Sequence, residues 1–125
     1  MWTIRDIEYK AGTVSKQSAS YTAANGLNTM TVFFSTLPSV SSNYKIADEA
    51  KVSAGTLASG EIAIAFNVAG TDDYVSTGTA ADSATISISG GTLTIKVLPT
   101  PLVHFAGGFL IDSTTGSGVI KTNQY

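Results

Sequence analysis

Residues 83–98 read SATISISGGTLTIKVL, and their apolar positions alternate on both sides of a Gly-Gly pair. Gly90-Gly91 suits the positive φ values of a two-residue hairpin turn. The register follows from that turn. Ser89 opposes Thr92, Ile88 opposes Leu93, Ile86 opposes Ile95 and Ala84 opposes Val97, which gathers the apolar pairs on one face. Ser87 with Thr94 and Thr85 with Lys96 fall on the other. A slip of one residue would exchange the two faces, so the pairing is strongly specified.

The same alternation recurs along the chain. Residues 2–9 predict a small hairpin with Arg5-Asp6 as its loop, Ile4 facing Ile7 and Trp2 facing Tyr9. Residues 13–20 are polar and read as an edge strand, where Lys16 would discourage pairing with a neighbouring molecule. Asn25-Gly26 marks a turn. In 29–35, TMTVFFS, the residues Met30, Val32 and Phe34 share a face. Phe33 lies on the other and marks a second buried surface or a contact site. A short strand over 44–47 precedes a loop, 48–60, with at most one turn of helix because Ser53, Gly55 and Gly60 interrupt it. In 61–68, EIAIAFNV, one face holds Ile62, Ile64, Phe66 and Val68. Small Ala63 and Ala65 on the other would let something pack closely. Residues 74–77 return antiparallel. Pro99 and Pro101 are expected to end the 83–98 ladder, since proline donates no hydrogen bond. Short closing strands are expected over 102–105, 109–111 and 119–122, with 114–118, TTGSG, as a flexible turn.

Turn signals every eight to twelve residues between alternating strands predict an all-β chain, a single antiparallel β-sandwich domain over 1–125 in preference to a closed barrel. A chain of 125 residues is long enough to bury roughly two thirds of its unfolded surface.

Composition narrows the function classes. Only 13% of residues are charged while 43% are hydrophobic, so Ser and Thr must cover the solvent faces. That balance is familiar from secreted, cell-surface and virion proteins. A net charge of −2 with seven scattered Lys and Arg offers no basic patch for nucleic acid. Without cysteine there is no disulfide, thiolate or Cys-metal chemistry. No apolar run reaches the eighteen or so residues of a membrane span.

Catalytic chemistry has little to build on. His104 is the only histidine, and it sits between Val103 and Phe105 with no serine or carboxylate at triad-like spacing, so it reads as a structural strand residue. No Gly-x-Ser-x-Gly elbow is present. No catalytic residues and no cofactor are expected. Asp72, Asp73 and Asp82 flank the Tyr74 strand as weak calcium candidates, oxygen ligands without any loop spacing that calcium motifs use. Trp2 and Tyr9, with Tyr74 in support and Tyr21 and Tyr44 behind it, are candidates for stacking on a sugar ring. The competing view is that Trp2 and Tyr9 cover one end of the core.

The order of these motifs is similar to that of small uncharacterised β-sandwich proteins of Bacteroidetes, many of them taken to be exported lipoproteins. The resemblance is carried by Trp2-Thr3-Ile4 through Tyr9, Val32-Phe33-Phe34-Ser35 with Leu37-Pro38, and Tyr44-Lys45-Ile46. It continues through Tyr74-Val75-Ser76-Thr77-Gly78, Ser89-Gly90-Gly91, and Asp112-Ser113 followed by a last strand after Ser117-Gly118. Arg5-Asp6 stands where a glycine turn is usual, and no lipid-accepting cysteine is present. The resemblance implies a sandwich fold and an extracytoplasmic place, and brings no catalytic residues with it.

Together these features predict a non-catalytic extracytoplasmic module acting through its surface on a protein partner or on itself. It would be a cell-surface component if an export signal precedes it in the gene. If Met1 is the native start, it would be a virion component such as a decoration or tail protein. A carbohydrate-binding module is the alternative.

Overall fold

The computed structural model describes residues 7–9, 13–17, 19–78, 83–107 and 109–123. The strands are β1 (Ile7–Tyr9), β2 (Thr13–Gln17), β3 (Ser20–Asn25), β4 (Asn28–Phe34), β5 (Ser42–Ile46), β6 (Glu61–Val68), β7 (Asp72–Ser76), β8 (Ser83–Ser89), β9 (Thr92–Ala106) and β10 (Phe109–Thr122), with one short helix, α1 (Ala50–Ala54). The chain is therefore all-β. Its strands form one sheet in the order β1-β10-β9-β8-β5-β6-β4-β3-β2, and β7 pairs with both β6 and β9. Most ladders are antiparallel, but β1 runs parallel to β10 and β5 parallel to β6, so the sheet is mixed.

The 83–98 hairpin pairs residue for residue as its alternation requires. The polar 13–20 stretch supplies β2 at one end of the sheet, and the 48–60 loop holds only the five-residue α1, closed by Gly55 at φ 69°. Of the expected 2–9 hairpin, Trp2 and the Arg5-Asp6 turn lie outside the described residues. Its second arm is β1, which pairs with Gly116–Gly118 of β10.

Two expectations are corrected. The ladder does not end at Pro99 and Pro101: β9 runs through both. Its pairing to β8 stops at Val97 and its pairing to β7 begins at Leu102, so on that edge no donor is needed between them. Against β10, Leu98 and Pro99 oppose the single Ser117, a bulge that absorbs the irregular backbone. The TTGSG stretch is likewise not a turn but the middle of β10. A Cβ on Gly116 would overlap Leu102 Cδ1 and lie 3.0 Å from Phe66 Cε2. The glycine is there because two core side chains press against the backbone.

Because β7 and the β5–β8 pair both lie between β6 and β9, the pairings close a circuit of five strands. Where β6 exchanges β5 for β7 as its neighbour, Ser76 fills the gap. Its hydroxyl accepts from Ile64 N at 3.0 Å and donates to Ala47 O at 2.6 Å. The inward side chains of the sheet form one buried cluster that includes Met30, Ile64, Phe66, Ile86, Leu93, Ile95, Leu102 and Ile120. Over this cluster the sheet curls until β1 approaches β4 and β2 approaches β10.

Candidate functional site

Paired residues in neighbouring strands share a face, so the registers sort every side chain across β3, β4, β6, β7, β9 and β10. One row runs Ala23, Met30, Phe66, Tyr74, His104 and faces the core. The row offset by one residue runs Thr22, Thr31, Ala65, Val75, Val103, Ser113 and faces outward. Phe33, paired with Ala63, extends it on one side; Phe105, paired with Leu110, extends it on the other. Cross-strand hydrogen bonds agree with this sorting. Thr22 Oγ1 and Thr31 Oγ1 are 2.9 Å apart, and Asn67 Nδ2 donates to Asp73 Oδ1 at 2.7 Å.

This outer face differs from the rest of the surface. Phe33, Ala65, Val75, Val103 and Phe105 are all partly exposed, and Leu110 is 63% exposed. Beside Leu110, Phe109 and Ile111 at the start of β10 are 73% and 51% exposed. By contrast, the outward positions of the 83–98 hairpin are Thr85, Ser87, Thr94 and Lys96. The apolar face forms a floor of small and medium side chains over β6 and β7 between larger ones on β4, β9 and β10. Thr22, Thr31, Asn67, Asp73 and Ser113 rim it.

The sequence candidates are dispersed by the structure. Tyr74 is fully buried, so it offers no surface to a sugar; its ring stacks on His104 with centroids 4.2 Å apart and planes at 12°. Trp2 and Asp82 lie outside the described residues, and of Tyr9 only the backbone pairing is described. Tyr21 is also fully buried and meets Phe34 edge-on at 6.3 Å. Asp72 and Asp73, adjacent in β7, point to opposite faces. His104 Nε2 donates to Asp72 Oδ1 at 3.0 Å, while Asp73 accepts from Asn67 on the outer face. They therefore do not converge on one cation. Among the described residues no group of three His, Asp or Glu gathers as a metal site requires.

His104 is 2% exposed. Its hydrogen bond, and secondly that from Thr71, holds the Asp72 carboxyl below its usual value. The pair ties the start of β7 to β9 beneath the outer face. A cleft of about 330 Å³ lies at one end of the sheet, lined by Gln17, Ala19, Ser20, Phe33, Phe34 and Val52. It carries no titratable side chain and opens beside Phe33. Among the described residues, no helix is long and apolar enough to cross a membrane.

Phe33, Ala63 and Ala65 were legible in the sequence as a second surface, because each breaks the one-faced sorting of its strand. Val75, Val103, Phe105 and Leu110 were not. Val103 and Phe105 flank a histidine, and simple alternation would turn them inward together. No protein-family model, curated protein or solved structure matches this chain. The geometry of the outer face is thus the ground for a functional assignment.

Proposed function

We propose that this chain is a non-catalytic module that works by surface contact with protein, in an extracytoplasmic structure such as a cell surface or a virion. One observation carries it: the outer face of β4, β6, β7, β9 and β10 leaves Phe33, Val75, Val103 and Phe105 partly exposed, with Leu110 largely so, while His104 is buried beneath them. A monomeric surface rarely presents a contiguous apolar patch beyond a few hundred Å² unless something covers it. The extracytoplasmic placement draws on the Ser/Thr-rich, charge-poor composition. Site-specific photocrosslinking in the producing cell tests the contact. A benzophenone side chain at Val75 should give a discrete protein adduct, and the same group at Ser87 on the polar hairpin face should give none. Equal capture at the two positions, or none at Val75, would remove the assignment.

A further inference from the structure

Independently of the protein contact above, we infer that one end of the sheet settles into the interface of a phospholipid bilayer of no net charge. It is the end where the β3–β4, β6–β7 and β9–β10 connections lie together. The strands β3, β4, β6, β7, β9 and β10 pair in that order, each antiparallel to the next. The row Ala24, Thr29, Asn67, Asp73, Phe105, Leu110 crosses all six just short of the three connections. The turns therefore stand in one line, neighbours roughly 10 Å apart at two strand spacings.

Their tips are apolar and stand clear of the core. Leu27 in the β3–β4 turn is 73% exposed, as is Phe109 after the β9–β10 connection, and Leu110 and Ile111 follow it into solvent. Phe109 pairs with Ala106 and Leu110 with Phe105, so these two side chains leave opposite faces of the ladder. Exposure on both faces means that the hairpin end runs past the packed core. Ala69 and Gly70, also exposed, form the middle turn. Tips on separate turns present a convex edge, which gives a rigid partner little complementary area. Headgroups and acyl chains flow around such an edge and take up its apolar side chains.

The turns are also held in place. Asn28 Oδ1 accepts from Ala69 N at 2.9 Å and ties the first turn to the second. Ala69 sits at φ 58°, a region that alanine seldom enters. Tips fixed in this way insert with little ordering cost.

Charge selects the lipid. Residues 17–44, 62–71 and 97–111, which carry the tips, contain no Asp, Glu, Lys or Arg. Behind them come Asp72, Asp73 and Asp112. Asp72 accepts from Thr71 Oγ1 and His104 Nε2, each at 3.0 Å, and Asp73 accepts from Asn67. The described lysines lie elsewhere: Lys16 beside Tyr21, Lys45 and Lys51 near Glu61 at the far end of β6, and Lys96 and Lys121 across the β9–β10 bulge. Anionic membranes are bound through Lys and Arg close to the surface, so this end suits zwitterionic headgroups.

Flotation of the chain with phosphatidylcholine vesicles tests the inference. Binding should be reversible, with an association constant on the order of 10³–10⁴ M⁻¹ in lipid. It should change less than about twofold between about 0.05 and 0.5 M salt, and replacing about a third of the lipid with phosphatidylserine should not strengthen it. Phe109→Ser and Leu27→Ser should each weaken it about tenfold. Val40→Ser, which removes a 67% exposed valine beyond the far end of β4, should float like the parent. A second measurement follows position rather than affinity. The chain lacks cysteine, so Leu27→Cys and Val40→Cys each accept one environment-sensitive dye. The dye at 27 should shift to the blue with vesicles and the dye at 40 should not. No flotation at about 5 mM phosphatidylcholine would overturn the proposal. So would equal binding by the Phe109→Ser variant, a dye at 27 that stays aqueous, or binding that needs phosphatidylserine and fails in salt. Capture on the producing cell's membranes that protease treatment abolishes, without flotation on pure lipid, would assign these turns to a protein and overturn the lipid. The photocrosslinking at Val75 reads the outer-face contact separately from all of these outcomes.

Discussion

Gly116→Ala distinguishes a packed ladder from a flexible turn at residues 114–118. Its new methyl would overlap Leu102 Cδ1 and come within 3.0 Å of Phe66 Cε2. Leu102 is fully buried and Phe66 is 2% exposed, so neither has an empty space to enter. Overpacking of this kind costs about 1–3 kcal/mol. Gly116 does not occupy the left-handed region, so the lost backbone freedom of glycine offsets about 0.5–1 kcal/mol. The net expectation is a loss of about 1–2 kcal/mol. At about 2.1 cal/mol/K per residue, a 125-residue chain has an unfolding entropy near 0.26 kcal/mol/K, so Tm should fall by roughly 4–8 °C. Urea titration with linear extrapolation measures the free energy and calorimetry the Tm. A double-mutant cycle with Leu102→Ala identifies the cause. Leu102→Ala alone should cost about 2–5 kcal/mol, and the double variant should lose at least about 1 kcal/mol less than the sum, because the colliding methyl is gone. A Gly116→Ala variant as stable as the parent, or strict additivity, would refute the close packing of β10 on the core.

Ser76→Ala should destabilise by about 2–4 kcal/mol, since Ile64 N and Ala47 O lose their shared hydroxyl in a buried site; urea titration reads it, and a loss below the error of the method would contradict the role of Ser76 at the strand junction. The Asp72 carboxyl is held below its ordinary 3.8 chiefly by the His104 hydrogen bond. Its contribution is therefore complete above that pH and lost as pH falls through the depressed value. Parent and Asp72→Asn should differ in stability at pH 7 and converge as the pH is lowered below about 4; a gap that persists in acid would deny the pairing. Among the described residues the buried Tyr21 hydroxyl has no hydrogen-bond partner, so Tyr21→Phe should be neutral or stabilising by up to about 1 kcal/mol at pH 7. Burial pushes the Tyr21 hydroxyl above its ordinary 10.0, so the unfolded chain ionises first and the parent weakens as pH rises past 10. The advantage of the Phe variant should grow there, and an advantage that shrinks would be contrary.

Local pattern was sufficient wherever a strand and its partner are neighbours in sequence. Ile86, Ile88, Leu93 and Ile95 sort themselves around Gly90-Gly91, and β8 with β9 follows at the expected register. The β3–β4 turn at Asn25-Gly26 was legible for the same reason. The long strands were not, because their punctuation is cancelled from a distance. Pro99 and Pro101 are tolerated only because β8 ends and β7 begins on either side of them along β9. Gly116 and Gly118 resemble a turn until Leu102 and Phe66 are seen pressing on the backbone. Among the candidate sites, Tyr74 follows two aspartates, but Asp72 and Asp73 leave β7 on opposite sides and the ring after them turns inward.

The bulge at Leu98-Pro99 joins fold and proposed function. Before it, Leu93, Ile95 and Val97 face inward; after it, Thr100, Leu102 and His104 do. The inward parity of β9 changes from odd to even across those two residues. Without that change, Val103 and Phe105 would enter the core, and the fully buried Leu102 would leave it together with His104. Fully burying a valine or phenylalanine is worth about 1.5–3 kcal/mol each. His104 instead needs Asp72 and the Tyr74 ring to be accommodated inside. The bulge thus sets Leu102 inside in exchange for two apolar side chains left on the outer face, a local choice of the kind expected where a surface serves a partner.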